Sequence, residues 1–165
     1  MALRPVLQFP DKRLFRKAQP IEKITDEVRQ LAQDMCEVMY DEPGIGLAAT
    51  QVGILKRLFV FVPDGGEAVA VVNPEIVERS DEVETDDEGC LSLQGVTVPV
   101  ERNAEVTLVG RDEHGEEVRY ELRELGARVA QHELDHLDGV LMLDRTTPEA
   151  RKDALALLRP KIVLA

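Results

Sequence analysis

The chain has 165 residues, enough for one compact domain with its own hydrophobic core and too few for two ordinary domains. Its net charge of −12 argues against general nucleic-acid binding, because a strongly acidic protein is repelled by phosphate backbones. There is no run of about 18 apolar residues, so we expect no membrane-spanning helix, and the first residues lack the pattern of a secretory signal.

The cysteine content suggests a reducing compartment. Only Cys36 and Cys90 occur, far apart in the sequence, so a disulfide framework is not expected and the cytoplasm is the predicted location. Cys36 falls near the apolar face of a predicted helix, where we expect it to act as a small buried hydrophobic residue.

The first half of the chain predicts one helix followed by strands. Thr25 is placed as an N-cap for an amphipathic helix over about residues 26–40, which ends before Pro43-Gly44. The acidic run between residues 73 and 90 lacks the ligand spacing of a calcium loop, so we interpret it as a solvated face or loop. Strands are expected where β-branched and aromatic residues cluster, at 57–62, 68–72, 75–83, 96–100, 104–111 and 116–122.

The second half predicts a hairpin and two more helices. Glu113-His114-Gly115 is a turn between the last two strands, with His114 exposed. A second helix covers about residues 125–137, and Gly139 caps it. Its inward face is formed by Leu125, Val129, His132 and His136. A short third helix begins near Pro148. This order predicts an α+β fold with antiparallel or mixed sheets packed around the second helix.

The most informative segment is His132-Glu133-Leu134-Asp135-His136. On a helix the two histidines lie on one face, so both imidazoles can bind one metal ion while Glu133 acts as a general base. A pattern with three fixed positions also arises by chance. However, two of the three histidines in the chain lie here, on a predicted inward face where an unliganded ring would need another polar partner.

A catalytic metal site of this kind needs a third protein ligand and an open position for water. In metzincins the third ligand is a histidine, and Met142 occupies that position here. In thermolysin-like enzymes the third ligand is a downstream glutamate, and no glutamate follows Glu149 in this chain. Cys90, within Glu88-Gly89-Cys90-Leu91-Ser92, is the better candidate, because metal binding would deprotonate its thiol to the ligand form. A single cysteine would by default be a buried or reactive thiol, so the prediction depends on its pairing with the two histidines.

A third segment of small residues runs from Gly44 to Gly53, with Gln51 near its end. It lacks the Gly-Lys-Ser/Thr ending of a phosphate loop. Its small side chains let the backbone approach either a substrate or a packed element, and taken alone tight packing is the better interpretation. The Gln51 amide is also suited to donate to an oxyanion.

Together these segments resemble the signature of the peptide deformylases, whose motifs read G-φ-G-φ-A-A-x-Q, E-G-C-φ-S and Q-H-E-φ-D-H. Residues 44–51, 88–92 and 131–136 match at every fixed position, and the likeness extends from Pro5 to Arg145. It implies one peptide-deformylase-like catalytic domain over residues 1–165, which removes the N-formyl group from the N-terminal formylmethionine of new polypeptides and releases formate.

The same likeness implies a metal site and a proton carrier. Cys90, His132 and His136 would bind one divalent ion, and Glu133 would take the proton of the attacking water and return it to the leaving amine. The family commonly uses iron (Fe²⁺), while zinc (Zn²⁺), nickel (Ni²⁺) or cobalt (Co²⁺) can occupy the site. Ligand type alone would favour zinc.

The resemblance also implies how the substrate is held. The Leu91 backbone N–H and the Gln51 side-chain amide would stabilise charge on the formyl oxygen. The Gly46 backbone would line the substrate channel, and the candidates for the methionine pocket are Ile45, Leu125 and Val129. Asp135 and Arg102 are expected to form a supporting ion pair.

Two features depart from many relatives. Leu93-Gln94-Gly95-Val96-Thr97 lacks the proline and the Arg or Tyr with which those relatives grip the peptide. The last helix is expected to be short, interrupted by Pro160 and mildly basic, so a transient ribosome contact through it is an open expectation. The expected partners are N-formylmethionyl peptides, with no general nucleic-acid binding and no membrane.

Two alternatives remain at this stage. An HExxH metallopeptidase would use the same helix to cleave internal peptide bonds. A structural metal site would instead need a fourth protein ligand, and Cys36 lies on a distant predicted helix.

Overall fold

The computed structural model describes residues 4–164, and the side chains of residues 4–158. Within residues 4–164 it contains three α-helices and seven β-strands. The helices are α1 (Asp26–Asp41), α2 (Glu124–Leu137) and α3 (Pro148–Leu164). The strands are β1 (Gly46–Ala48), β2 (Leu58–Phe61), β3 (Val69–Arg79), β4 (Val83–Glu88), β5 (Val98–Asn103), β6 (Glu105–Arg111) and β7 (Glu117–Arg123). Short 3₁₀ turns occupy Lys12–Phe15, Ala49–Val52 and Met142–Asp144.

The strands form two antiparallel sheets. Five of them pair in the order β1-β2-β3-β6-β7, and β4 and β5 form a separate two-stranded ribbon. The helix α2 packs on the five-stranded sheet through Val129 and Ala130, which share a buried cluster with Phe59, Phe61 and Leu108. It also contacts β5 of the ribbon. The predicted α+β fold, with sheets packed around the second helix, is therefore confirmed.

The strand prediction was wrong between residues 68 and 88. The two separate strands expected at 68–72 and 75–83 are one strand, β3, which passes through Pro74. A proline has no N–H for the ladder, and β3 accommodates it with register shifts in its pairing to β6 and a positive φ of 51° at Asn73. Much of the acidic run is β4, whose first five residues are exposed, so it is a solvated face but not a loop.

Local signals placed the first two helices correctly. The Thr25 hydroxyl accepts a hydrogen bond from the Val28 N–H at 3.4 Å and begins α1. Beyond the end of α2, Gly139 has a φ of 76°, and its N–H donates to the His136 carbonyl. Leu125, however, is 59% exposed, so its expected place on the inward face is wrong. It lies in the first turn of α2, where it lines a cavity that opens to solvent.

The third helix is longer than expected. It spans 17 residues and continues past Pro160, which lies in its last part and removes only one helical hydrogen bond. Its Ala154 and Leu158 pack beside Leu93 and Val96, on the loop that follows the ribbon strand β4. The side chains of Arg159 and Lys161, which carry the expected basic character, lie outside the described residues. No helix within residues 4–164 is both long enough and apolar enough to span a bilayer.

Candidate metal centre

Three ligand-type side chains converge between α2 and the loop that follows β4. The Cys90 Sγ lies 3.3 Å from the His136 Nε2, which lies 3.2 Å from the His132 Nε2. All three ligand atoms are within 4.8 Å of one another. The histidines are one helical turn apart on α2, and Cys90 follows the end of β4 by two residues. The structure thus brings together the thiol and the two imidazoles that the sequence singled out.

This donor set fits a divalent transition metal. Tetrahedral bonds of about 2.0–2.1 Å to nitrogen and about 2.3 Å to sulfur place neighbouring ligands roughly 3.3–3.6 Å apart. The Cys90–His136 and His136–His132 distances are close to that spacing. Among the described residues no fourth His, Cys, Asp or Glu joins the cluster, so these three residues would leave one position of a four-coordinate ion open. An open position is typical of a catalytic site and argues against a purely structural one.

Glu88 fixes the orientation of His132. Its carboxylate, only 5% exposed, lies 2.9 Å from the His132 Nδ1. It also accepts two hydrogen bonds from Arg102, both at 2.9 Å, and one from Arg128 at 2.7 Å. Burial alone would raise the pKa of Glu88, but the hydrogen bonds from Arg102 and His132 hold that pKa well below its usual range. A charged carboxylate at this place requires Nδ1–H on His132 and leaves Nε2 free as a ligand atom.

A second carboxylate extends this network along α2. Arg102 Nη1 donates to the Asp135 Oδ2 at 2.6 Å, which confirms the expected ion pair. Arg145 donates to both oxygens of the same carboxylate, at 2.9 and 3.1 Å. Burial lowers the pKa of His136 well below its ordinary value, and the neutral ring is the form that binds a metal.

Glu133 is a buried carboxylate beside the three ligand atoms. It is 4% exposed, and within the described part of the chain its Oε1 has no hydrogen-bond partner. Burial raises its pKa to about 7. A carboxyl group with a pKa near neutrality can both take up and return a proton. Gly46 packs directly against it, because a Cβ at that position would lie 2.6 Å from the Glu133 Oε2.

The Gln51 amide has a defined orientation. Its Oε1 accepts a hydrogen bond from the Ala48 N–H at 2.9 Å, so Nε2 must face the metal centre. This nitrogen donates to the Ser92 Oγ at 3.1 Å and lies 3.7 Å from the Cys90 Sγ. One of its two protons is thus bound by Ser92, and the other is directed at the Cys90 Sγ.

One cavity of about 420 Å³ joins these groups. The cavity is lined by every site residue expected from the sequence except His136, which is almost fully buried. The apolar part of the lining includes Ile45, Leu125 and Val129. Ile45 and Leu125 are exposed, so the cavity opens to solvent at that side.

Sequence reasoning missed three polar residues of the site. Glu88 and Ser92 fall within the motif around Cys90 but no role was predicted for either, and Arg128 was not predicted at all. Arg128 precedes His132 by four residues, so helical spacing alone places it on the same side of α2. Nothing local indicates that its guanidinium meets Glu88, since the two residues are 40 positions apart.

Comparison with known proteins adds independent findings. The model of the polypeptide deformylase family matches residues 3–152. A peptide deformylase of Acidothermus cellulolyticus is 45% identical over 159 residues, covering 96% of this chain and 87% of that protein. One of Clostridium botulinum is 48% identical over 147 residues, covering 89% and 99%. The crystal structure of a peptide deformylase from Legionella pneumophila superposes with a TM-score of 0.92 at 37% identity, covering 99% of this chain and 97% of that one.

Proposed function

Because the chain belongs to the peptide deformylase family, we propose that it hydrolyses the formamide of N-formylmethionyl polypeptides, releasing formate and a free amino terminus. Family membership makes the chain an enzyme, an amide hydrolase that acts on a formyl group. The observation that carries the residue-level proposal is Glu133, a buried carboxylate with a pKa of about 7 beside three converging ligand atoms.

Cys90, His132 and His136 would hold one divalent ion. When bound, the ion would supply Lewis-acid polarisation and lower the pKa of a water molecule. One thiolate with two imidazoles can hold Zn²⁺, Fe²⁺, Co²⁺ or Ni²⁺, and ligand type alone favours Zn²⁺. We propose Fe²⁺ as the native ion, following the family resemblance. The Glu88 carboxylate would keep the His132 Nδ1 protonated and so present Nε2 to the ion.

Glu133 would move the protons. Its carboxylate takes a proton from the water that attacks the formyl carbon, and it then gives this proton to the departing amine. Because burial raises its pKa to about 7, this carboxyl group can exchange a proton in either direction near neutral pH. Its unpartnered Oε1 is available for the water molecule.

Gln51 and Leu91 would stabilise the negative charge that develops on the formyl oxygen. The Ala48 N–H holds the Gln51 Oε1, so its Nε2 presents a proton toward the reacting group. The Leu91 backbone N–H would be the second donor, on the residue that follows Cys90. Fixed donors at such a site contribute strongly because they need no reorganisation during the reaction.

The cavity is suited to a methionine side chain. A volume of about 420 Å³ with an apolar wall of Ile45, Leu125 and Val129 accommodates an unbranched thioether chain, and the Gly46 backbone lies alongside. We propose that the enzyme acts in the cytoplasm on chains leaving the ribosome. The C-terminal helix is the segment to examine for a transient ribosome contact.

Replacement of the proton carrier tests this proposal. We expect Glu133→Gln to lower formate release from a formyl-Met tripeptide by about 10²–10⁴-fold, because general acid–base catalysis is lost. Elemental analysis after anaerobic purification should show that the bound metal is unchanged, since Glu133 is not among the ligands. Glu121→Gln, at an exposed position on β7, is the matched control and should keep full activity.

The substrate series separates the deformylase from the metallopeptidase. The wild type should release formate from the formylated peptide and leave intact a peptide blocked at both ends by other groups. Unchanged turnover in Glu133→Gln would refute the role of this residue, and cleavage of internal bonds would support the metallopeptidase instead.

A further inference from the structure

Arg128 connects the two elements that carry the ligand-type residues. It lies on α2, one turn before His132, and its side chain is 11% exposed. Its Nη1 donates to the Glu88 Oε2 at 2.7 Å and to the Val100 carbonyl at 2.8 Å. Its Nη2 donates to the Glu84 carbonyl at 2.9 Å. A single guanidinium thus binds both strands of the ribbon and the carboxylate that orients His132.

The ribbon needs such a connection because apolar packing does little to hold β4 in place. The first five residues of β4 are exposed, and only Glu88 at its end is buried. Cys90 follows two residues later, so any displacement of β4 moves the Cys90 thiol relative to the two imidazoles on α2. A tetrahedral site tolerates little change in ligand spacing, since its bond lengths are specific to within about 0.2 Å.

We propose that Arg128 is a positioning residue, which holds the Cys90 thiol at metal-binding distance from His132 and His136. It acts through Glu88 and through the backbone of β4 and β5, and it touches neither the ion nor the three ligands. The inference rests on the metal site of the proposed function. The planar, forked guanidinium of Arg128 has two terminal nitrogens, which together reach three acceptors at separate places. The single ammonium nitrogen of a Lys cannot reach all three.

Arg57 provides a matched control, because it lies outside α2 but binds the C-terminal end of that helix. Its guanidinium also makes three hydrogen bonds, to the carbonyls of Leu137 and Ala18 and to the Asp138 carboxylate, at 3.1, 3.4 and 2.9 Å. Its side chain is 15% exposed, similar to that of Arg128. None of its partners lies on the ribbon or on the Cys90 loop, so its loss removes comparable bonds without freeing the thiol.

The test is a titration of the metal-free protein with Co²⁺ alone. Binding is monitored by the thiolate-to-cobalt absorption and by the visible ligand-field bands, and the titration gives the dissociation constant. We expect Arg128→Met and Arg128→Lys to raise the dissociation constant on the order of tenfold, the lower end for residues that support metal ligands. Arg57→Met should lower the thermal unfolding temperature but keep the affinity and the spectrum of the wild type. Thermal unfolding of each metal-free variant establishes that it is folded.

The outcomes separate this inference from the metal site itself. Wild-type affinity in Arg128→Met would overturn it, and full rescue by Arg128→Lys would assign the effect to charge and overturn the role of the fork. If Arg128→Met does not fold, Arg128→Lys, which keeps the charge and stem, allows the same comparison with Arg57→Met. If Cys90→Ser keeps the absorption and affinity of the wild type, the metal site is wrong and the proposed function fails at that point.

Discussion

Gly46→Ala should remove most of the activity while leaving the fold and the metal ligands in place. Gly46 does not have a positive φ, so its backbone accepts an alanine. The added Cβ would lie 2.6 Å from the Glu133 Oε2 and 2.8 Å from the Val129 Cγ1. Ordinary contact begins at 3.4 Å, so the carboxylate would have to retreat by about 0.8 Å. The catalytic group is the movable neighbour, and it should therefore absorb most of the displacement.

A misplacement of about 1 Å at a reacting group can lower a rate by roughly 10²-fold. We therefore expect kcat/KM for formate release from a formyl-Met tripeptide to fall by about that factor, equivalent to roughly 2.7 kcal/mol of transition-state stabilisation. Metal content and the thermal unfolding temperature, measured on the same preparations, should stay near the wild-type values.

The control for this experiment is Gly66→Ala, in an open turn where an added Cβ meets nothing within 4 Å. This variant should be fully active. A Gly46→Ala enzyme with wild-type kcat/KM would refute the argument, because it would mean that Glu133 can shift without loss of proton transfer. Loss of bound metal would also contradict it, since the clash does not involve a ligand.

The remaining predictions concern Ser92 and Cys36. Ser92→Ala should lower kcat about fivefold, the equivalent of one hydrogen bond, because Gln51 loses the partner of one amide proton. The same change in a Gln51→Ala background should have no effect on kcat, and equal losses in both backgrounds would show that Ser92 acts by packing alone. Burial raises the pKa of Cys36 to about 11, so its thiolate is scarce at neutral pH. Alkylation of Cys36 by iodoacetamide, followed by peptide mass analysis, should be slow at pH 8 and accelerate up to about pH 11. A rate that levels off near pH 8 would contradict the raised pKa of this partly buried thiol.

Local sequence was sufficient for the features that depend on helical geometry. The four-residue spacing of His132 and His136 places both rings on one face of any α-helix, wherever the helix packs. Thr25 and Gly139 mark a helix start and a helix end through hydrogen bonds within their own turns. The pairing with the two histidines and the lack of another downstream ligand then pointed to Cys90 as the third candidate, although its position near the imidazoles depends on the whole fold.

Where local signals conflict with tertiary pairing, the prediction was wrong. Pro74 suggested a break between two strands, but β3 continues because its partner β6 shifts register around it. The acidic composition of residues 83–88 suggested a solvated face or loop but no strand, and pairing with β5 makes the segment a strand with a solvated face. The helical spacing of Leu125 from Val129 predicted that it is buried, but Leu125 is exposed and lines the cavity.

The sequence by itself determined the identity and chemistry of the groups: which side chains can ligate, carry a proton or donate to an oxyanion. The Asp135–Arg102 pair was expected from the family resemblance, but only the tertiary structure decided how Glu88 and Arg128 join it to the metal centre. Those contacts join residues 14 to 40 positions apart. The reason is physical, since helical spacing follows from repeated backbone dihedrals, whereas a buried ion pair exists only where the packing of separate elements brings its charges together and excludes water from both.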